Sequence, residues 1–559
     1  MSAKPPLPAA ASRLRHCTPG LAGCAAICAV IGAATWLVYG RAAGFGYVGI
    51  DDVEYVVNTA PVREGLTREG ISWAFTTFRF SNWHPLTWLS YMLDVSLFGD
   101  APGPKHAVNI FLHACNSVLA AALVFRVVPA RRHVVALLAG LSFAVHPLHV
   151  ESVAWVAERK DVLCAFFYFV ALHLHLGFVQ RATVSRYLLL QAACALALMA
   201  KPMAVTLPVA LLLLDYWPGG RLRAVAGGNV RVLPRRLFGL LLEKAPVILM
   251  AAAVCVLTIM AQQDAVASVT SVPFAHRLQN AVMSYVTYLR QMVLPTGLAP
   301  LYPLRPIDTF TQFLPALAVL FSLVAVVFYR RRVAPWWLAG VLFFLLTLLP
   351  VIGLMQVGVQ AHADRYMYIP SLGLLLAGGC SLSRLSGAWA QRILPACWLV
   401  MAFHASLAWI QVGYWASDYM AYSRILDITP RSWEAHVGLS GVYLARGDTG
   451  SAESHAREAL AIDSENEFVQ AALGNLYLAR RDNDGALAAF GRAHALRPAW
   501  QLPMVNIGVA MERAGRFPEA LQWYCKALAV DGAMGGVSGR IARLRAKGAG
   551  GGGDGCEHP

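Results

Sequence analysis

Two adjacent carboxylates, Asp51 and Asp52, stand in the stretch Gly49-Ile50-Asp51-Asp52-Val53-Glu54-Tyr55, about ten residues beyond the first long apolar run. Neighbouring carboxylates at a membrane surface repel one another, and desolvation there raises a pKa. Either one could then take the proton of a substrate hydroxyl as a general base. A solvated turn or an acid-rich helix start would explain the pair equally well. The residues that follow favour the chemical reading. Asn82-Trp83-His84-Pro85-Leu86-Thr87-Trp88-Leu89 runs into Tyr91, Leu93 and Phe98 at roughly helical spacing. This pattern predicts an amphipathic helix in the membrane interface, with Trp at headgroup depth. Carboxylates beside such a helix suit a substrate with one lipid end and one polar end.

A second group is His146-Pro147-Leu148-His149-Val150-Glu151, followed by Trp155 and Glu158-Arg159-Lys160-Asp161. The His-x-x-His-x-Glu spacing raises the question of a metal. It lacks the HExxH helical arrangement, and Pro147 breaks helical register. The histidines are therefore expected to anchor a helix end, with no metal or other cofactor required and a divalent cation as the lesser alternative. Arg159 and Lys160 suit a phosphate, as a bidentate fork and a point charge; pairing with Glu158 and Asp161 is the structural alternative. Lys201, in Ala200-Lys201-Pro202, and Arg365, in Asp364-Arg365-Tyr366-Met367-Tyr368, add two more cations. Their convergence on one face predicts a site for a lipid-linked phosphate.

The elements that must position these groups are membrane helices. Of 559 residues, 57% are hydrophobic and only 14% charged, with a mean hydropathy of +0.53. Soluble domains hold about 45–50% apolar and about 25% charged residues, so one soluble domain and a disordered scaffold are both excluded. The net charge of +15 is spread over clusters such as Arg131-Arg132, Arg235-Arg236 and Arg330-Arg331-Arg332 between apolar runs. That is the pattern of cytoplasmic loops, not of a nucleic-acid surface, and no nucleic-acid partner is expected. The eleven cysteines include no CxxC pair, so no zinc or redox framework is indicated. Apolar stretches near 21–39, 108–128, 133–148, 162–179, 186–200, 203–217, 245–262, 311–329, 334–353, 368–384 and 391–411 approach the span length of about 20 residues. The first is read as an uncleaved span. The less apolar 280–294 is read as re-entrant or interfacial. The positive-inside rule then puts residues 1–20 in the cytoplasm. It sends loop 41–107, loop 145–161, segment 356–367 and the C-terminus to the opposite face, with their ionisable residues beside membrane ends.

From residue 430 the texture becomes polar and Ala-rich with a period of 34. Leu439, Leu473 and Ile507 are so spaced, as are Ala452, Ala486 and Ala520, and Ala459, Ala493 and Ala527. With Gly474/Gly508 and Phe490/Tyr524, this is the tetratricopeptide pattern. Three copies are expected over 430–546, after a linker at 412–429 and before a disordered Gly-rich tail at 547–559. Such stacks present a groove for a polypeptide acceptor or partner protein.

The strings DDVEYVVN, NWHPLTWLSYMLD, KHAVNIFLHACN, HPLHVESVAWVAERKDVL, KPMAVTLPVALLLLDYW and DRYMYIPSLG occur in this order. From about residue 45 to 540 the chain resembles the TMTC family, membrane proteins with tetratricopeptide repeats proposed to be protein O-mannosyltransferases of the GT-C class. Three repeats are few for animal members, so a bacterial relative in the inner membrane is expected. The resemblance implies an all-α protein: a GT-C-like polytopic bundle of about eleven spans over 21–411, then an α-solenoid. It implies a polyprenyl- or dolichyl-phosphate sugar donor, with mannose moved to a Ser or Thr hydroxyl on the non-cytoplasmic face. The acidic pair falls on Asp51 and Asp52, Asp52 being favoured as base and its neighbour as the group that orients the acceptor. Arg159, Lys160, Lys201 and Arg365 are the candidate donor-phosphate ligands. Glu54, His84, His146 and Glu151 are assigned to the sugar and acceptor pocket. Two alternatives stand beside this: a GT-C transferase acting on a lipid or polysaccharide, and a non-catalytic receptor or scaffold working through its repeats. A transporter fits less well, because the ionisable residues cluster at span ends.

Overall fold

A computed structural model describes residues 21–222, 233–262, 272–304, 307–355, 358, 360–530 and 535–547. The expected cytoplasmic segment 1–20, the tail from 548 onward, and parts of segments 221–236 and 356–367 lie outside the described residues. The chain divides into two compact units, Met1–Ser417 and Asp418–Pro559.

The first unit is a bundle of apolar helices. Ala22–Gly44, Pro102–Val127, Val156–Gln180, Thr309–Arg332 and Gly387–Gly413 are each long and apolar enough to cross a membrane. Two bent pairs, Arg132–Val145 with Pro147–Ala154 and Pro234–Glu243 with Ala245–Ala261, meet the same criterion jointly. Val184–Ala200, Pro202–Tyr216, Pro335–Val351 and Ser371–Leu382 are shorter apolar helices. Each of these apolar units overlaps one of the stretches expected from the sequence, and five of them, or seven with the bent pairs, meet the length and composition of a membrane span among the described residues. The protein is a multi-pass membrane protein.

Proline sets the two breaks that matter for the site. A residue before proline is disfavoured in the helical region, and His146 (φ −73, ψ 127) is extended ahead of Pro147, where the pair bends by 52°. Lys201 (φ −155, ψ 136) is likewise extended ahead of Pro202. Loop 41–107 is largely helical, with turns at Val53–Val57 and Ala60–Arg63 and helices Arg68–Thr76 and Pro85–Phe98. Trp88, expected at headgroup depth, is fully buried inside the protein together with Tyr91 and Met92. The helix Phe274–Val293 covers the ambiguous 280–294 and buries Asn280, Ser284 and Gln291. The strands found among the described residues, Tyr302–Pro303 and Gln360–His362, pair antiparallel with Tyr302 opposite His362.

The second unit is built of helix pairs: Trp433–Ala445 with Thr449–Ile462, Glu467–Ala479 with Asn483–Leu496, and Gln501–Arg513 with Phe517–Val530. Leu439, Leu473 and Ile507 are buried, as are all six alanines of the 34-residue pattern. Close approach depends on small residues opposite rings. A Cβ on Gly474 would meet the Phe490 ring at 2.6 Å, and one on Gly508 the Tyr524 ring at 2.6 Å. The stretch read as a linker differs: Asp418–Ile428 is a helix with Ala421 and Ile425 buried. These residues sit four apart on one helical face, and the helix packs on Trp433–Ala445.

Candidate active site

Asp51 and Asp52 occupy one turn but different environments. The N–H of Asp52 donates to Val48 O, and that of Tyr55 to Asp51 O, so the acidic pair opens the helical turn Val53–Val57. Asp52 is fully buried. Its carboxylate accepts hydrogen bonds from the backbone N–H of Val48 (3.0 Å) and of Ala157 (2.7 Å). Burial raises its pKa to about 7, with the Asp51 charge adding and the two N–H donors opposing. Asp51 instead lines a cavity. Desolvation raises its pKa too, against the nearby charge of Lys160. Of the pair, Asp51 lines the cavity and Asp52, expected as the base, does not.

Four cavity-lining side chains form one ionic cluster. Glu158 Oε1 lies 3.2 Å from Lys160 Nζ and 3.3 Å from Arg365 Nε, and Glu158 Oε2 lies 3.2 Å from Lys201 Nζ. Lys201 also pairs with Asp161 at 2.5 Å, and Arg365 with Glu151. Burial pulls the Lys201 pKa down, but Asp161 and Glu158 outweigh it and hold it above the usual lysine value. Segments far apart in sequence deliver these groups. Lys201 comes from the proline break, and Arg365 from the turn Asp364–Met367 that follows the second strand. Tyr302 O–H, on the first strand, donates to Asp364 Oδ1 at 2.8 Å and fixes that turn.

The cavity holds about 800 Å³. Its lining includes Asp51, Lys160, Lys201, Arg365 and Glu158, and also Tyr55, Asn82 and Gln360. The same lining holds apolar side chains: Met203, Val205, Cys255, Ile259, Val351 and Met355. Phe80, also in the lining, stacks on Tyr55 at 4.6 Å. Phe80 and Ser81 both have positive φ, 57° and 56°, a backbone region that non-glycine residues seldom adopt. Such strain tends to gather at functional sites. Tyr55, Phe80, Asn82 and Gln360 escaped sequence reasoning because they match no charge or metal pattern. Tyr55, one turn from Asp51, was the one within reach.

The other expected site residues lie elsewhere. Arg159 is fully buried and does not line the cavity: it pairs with Asp94 at 2.8 Å and donates to Lys105 O and Asn109. Its chain neighbour Lys160 takes the site position, because adjacent residues at a helix start point in different directions. His84 lies buried behind Tyr55 in a stack with Trp88 (4.9 Å), and burial lowers its pKa to about 3. His146 meets Met292 O at 3.2 Å and accepts from Leu148 N–H, which is the helix-anchoring role. Glu54 is exposed and accepts from Asn58. Glu151 touches the site only through Arg365, whose backbone N–H it also accepts at 2.8 Å. No cluster of three or more metal-ligating side chains occurs among the described residues.

Comparison with known proteins adds a family. A family model described as dolichyl-phosphate-mannose-protein mannosyltransferase matches residues 90–223, the segment that carries Glu151, Glu158, Lys160, Asp161 and Lys201. Protein O-mannosyl-transferase TMTC1 of Homo sapiens is 34% identical over 171 residues, 29% of this chain and 18% of that protein. Protein O-mannosyl-transferase TMTC4 of Homo sapiens is 33% identical over 162 residues, 25% of this chain and 22% of that protein. Protein O-mannosyl-transferase F38B6.6 of Caenorhabditis elegans is 23% identical over 405 residues, 69% of this chain and 54% of that protein. The matches thus span from under a fifth to about half of these relatives' own lengths.

Proposed function

We propose that the chain is a member of the TMTC family and transfers a mannosyl group from a polyprenyl- or dolichyl-phosphate carrier to a Ser or Thr hydroxyl. The reaction takes place on the non-cytoplasmic face, and the repeats receive the acceptor polypeptide. One observation carries this reading: a single cavity joins two carboxylates, three cations and several apolar side chains. A lipid-phosphate sugar has the matching parts, an apolar tail, an anionic diester and a sugar.

In this mechanism the acceptor oxygen attacks the anomeric carbon from the side opposite the phosphate. The new C–O bond forms as the anomeric C–O(phosphate) bond breaks. The hydroxyl proton passes to Asp51, and the bonding electron pair leaves with the lipid phosphate. Lys160, Lys201 and Arg365 stabilise the charge that gathers on the leaving phosphate, which is where fixed cations act most strongly. Asp51 gains from desolvation, since a base whose pKa is lifted toward the working pH transfers protons more effectively. Glu151 and Asp161 keep Arg365 and Lys201 in place, and positioning of the hydroxyl supplies the remainder.

The test is label transfer from a panel of radiolabelled polyprenyl-phosphate sugars by the purified full-length protein. Labelling of Ser/Thr-rich peptides from a mannosyl donor supports the reading. Folded protein that turns over none of the donors contradicts it and favours a scaffold.

A further inference from the structure

The three cations meet on a carboxylate that belongs to the protein itself. Glu158 is buried, and its two oxygens are shared among Lys160, Lys201 and Arg365 at 3.2–3.3 Å. All four side chains line the cavity. Two oxygens on one central atom, held by three cations from separate segments, is also how a phosphate would be bound. Each donor has a limited number of N–H groups, so Glu158 and an incoming phosphate compete for the same bonds.

We propose that Glu158 is an internal surrogate for the substrate phosphate, which gathers the three cations when the site is empty and weakens retention of the lipid-phosphate product. This inference rests on the function proposed above and extends it to product release. The need for such a device follows from charge. The donor phosphodiester carries one negative charge, whereas a phosphomonoester product carries about −1.5 to −2 at pH 7. Three fixed cations with no competing carboxylate would hold the product more tightly than the donor, and turnover would stall. Glu151 and Asp161 each engage one of the cations; among the described residues Glu158 is the carboxylate that bridges all three. It touches no reacting atom in this scheme and is a positioning residue.

The experiment measures equilibrium binding of farnesyl phosphate, a short soluble lipid phosphate, to the full-length wild type and to Glu158→Gln. The substitution keeps the shape of the side chain and removes the competing charge. The Gln variant is expected to bind at least about tenfold more tightly, on the scale of other desolvated charge pairs, and to show lower kcat under multiple turnover. A merely structural role predicts the opposite, since loss of the central anion would scatter the cations and weaken binding. Glu158→Asp, which withdraws the carboxylate by one methylene, is expected to tighten binding by a smaller factor and serves if the Gln variant does not fold. Unchanged or weaker binding in the folded variant overturns the proposal; if wild type still transfers mannose, the function stands without it. Wild type that binds no lipid phosphate overturns both.

Discussion

Asp52 Oδ1 accepts a 2.7 Å hydrogen bond from the backbone N–H of Ala157. This bond joins the first loop to the segment that carries Glu158 and Lys160, one and three residues further on. Asp52 thereby sets the distance between its neighbour Asp51 and the cation cluster. The acidic pair divides its work: one carboxylate organises the backbone, and the other stands in the cavity.

That division can be read from stability. Burial moves Asp52 to about 7, against about 3.9 for an unperturbed aspartate. Between those two values the folded protein holds a proton that the unfolded chain has lost. Stability from this group is therefore full below about pH 3.9, declines as pH rises, and is lost above about pH 7. Asp52→Asn should flatten this slope in detergent unfolding curves recorded across the window, while retaining part of the transferase activity.

In the proposed mechanism Asp51 governs the rate instead. Its pKa is raised, chiefly by desolvation, so the acid limb of the kcat/KM profile should lie above the ordinary carboxylate range. Activity should rise with pH through that limb as the base deprotonates. The residual activity of Asp51→Asn should show no such limb.

Arg159 offers a way to separate folding from function. With Asp94 it forms a buried ion pair at 2.8 Å, and removing one partner of such a pair costs about 3–5 kcal/mol. Arg159→Met should lower thermal stability by that order, and Asp94→Leu/Arg159→Met should recover most of it. Lys201→Met should instead weaken farnesyl phosphate binding. Equal loss of binding in a folded Arg159→Met protein would return Arg159 to the phosphate site.

The solenoid can be perturbed by itself. A side chain at Gly508 must displace the Tyr524 ring, and such overpacking costs about 1–3 kcal/mol. Gly508→Val should make the repeats more sensitive to limited proteolysis and lower transfer to protein acceptors, while farnesyl phosphate binding stays at the wild-type level.

The repeats were legible in the sequence because a 34-residue period places the same residue in the same packing environment three times. The apolar stretches were legible because hydrocarbon imposes one length and one composition. Of the residues that line the cavity, Lys160, Lys201, Arg365 and Asp51 stood out in the sequence by charge at span ends. Arg159 was not separated from Lys160, and Asp52 not from Asp51, because adjacent residues share composition and differ only in direction. The short hairpin of Tyr302 and His362 left no signal, since two- and three-residue strands carry no periodicity. Trp88 was misplaced because a buried aromatic stack and an interfacial aromatic belt have the same sequence pattern.

The most direct test of the central claim is transfer of radiolabelled mannose from polyprenyl-phosphate mannose to Ser/Thr-rich peptides by wild type and Asp51→Asn. The account predicts peptide-dependent labelling by wild type and a fall of about 10²–10⁴ in Asp51→Asn, with farnesyl phosphate binding unchanged. Labelling by Asp51→Asn at the wild-type rate would remove this carboxylate from the chemistry and contradict the account.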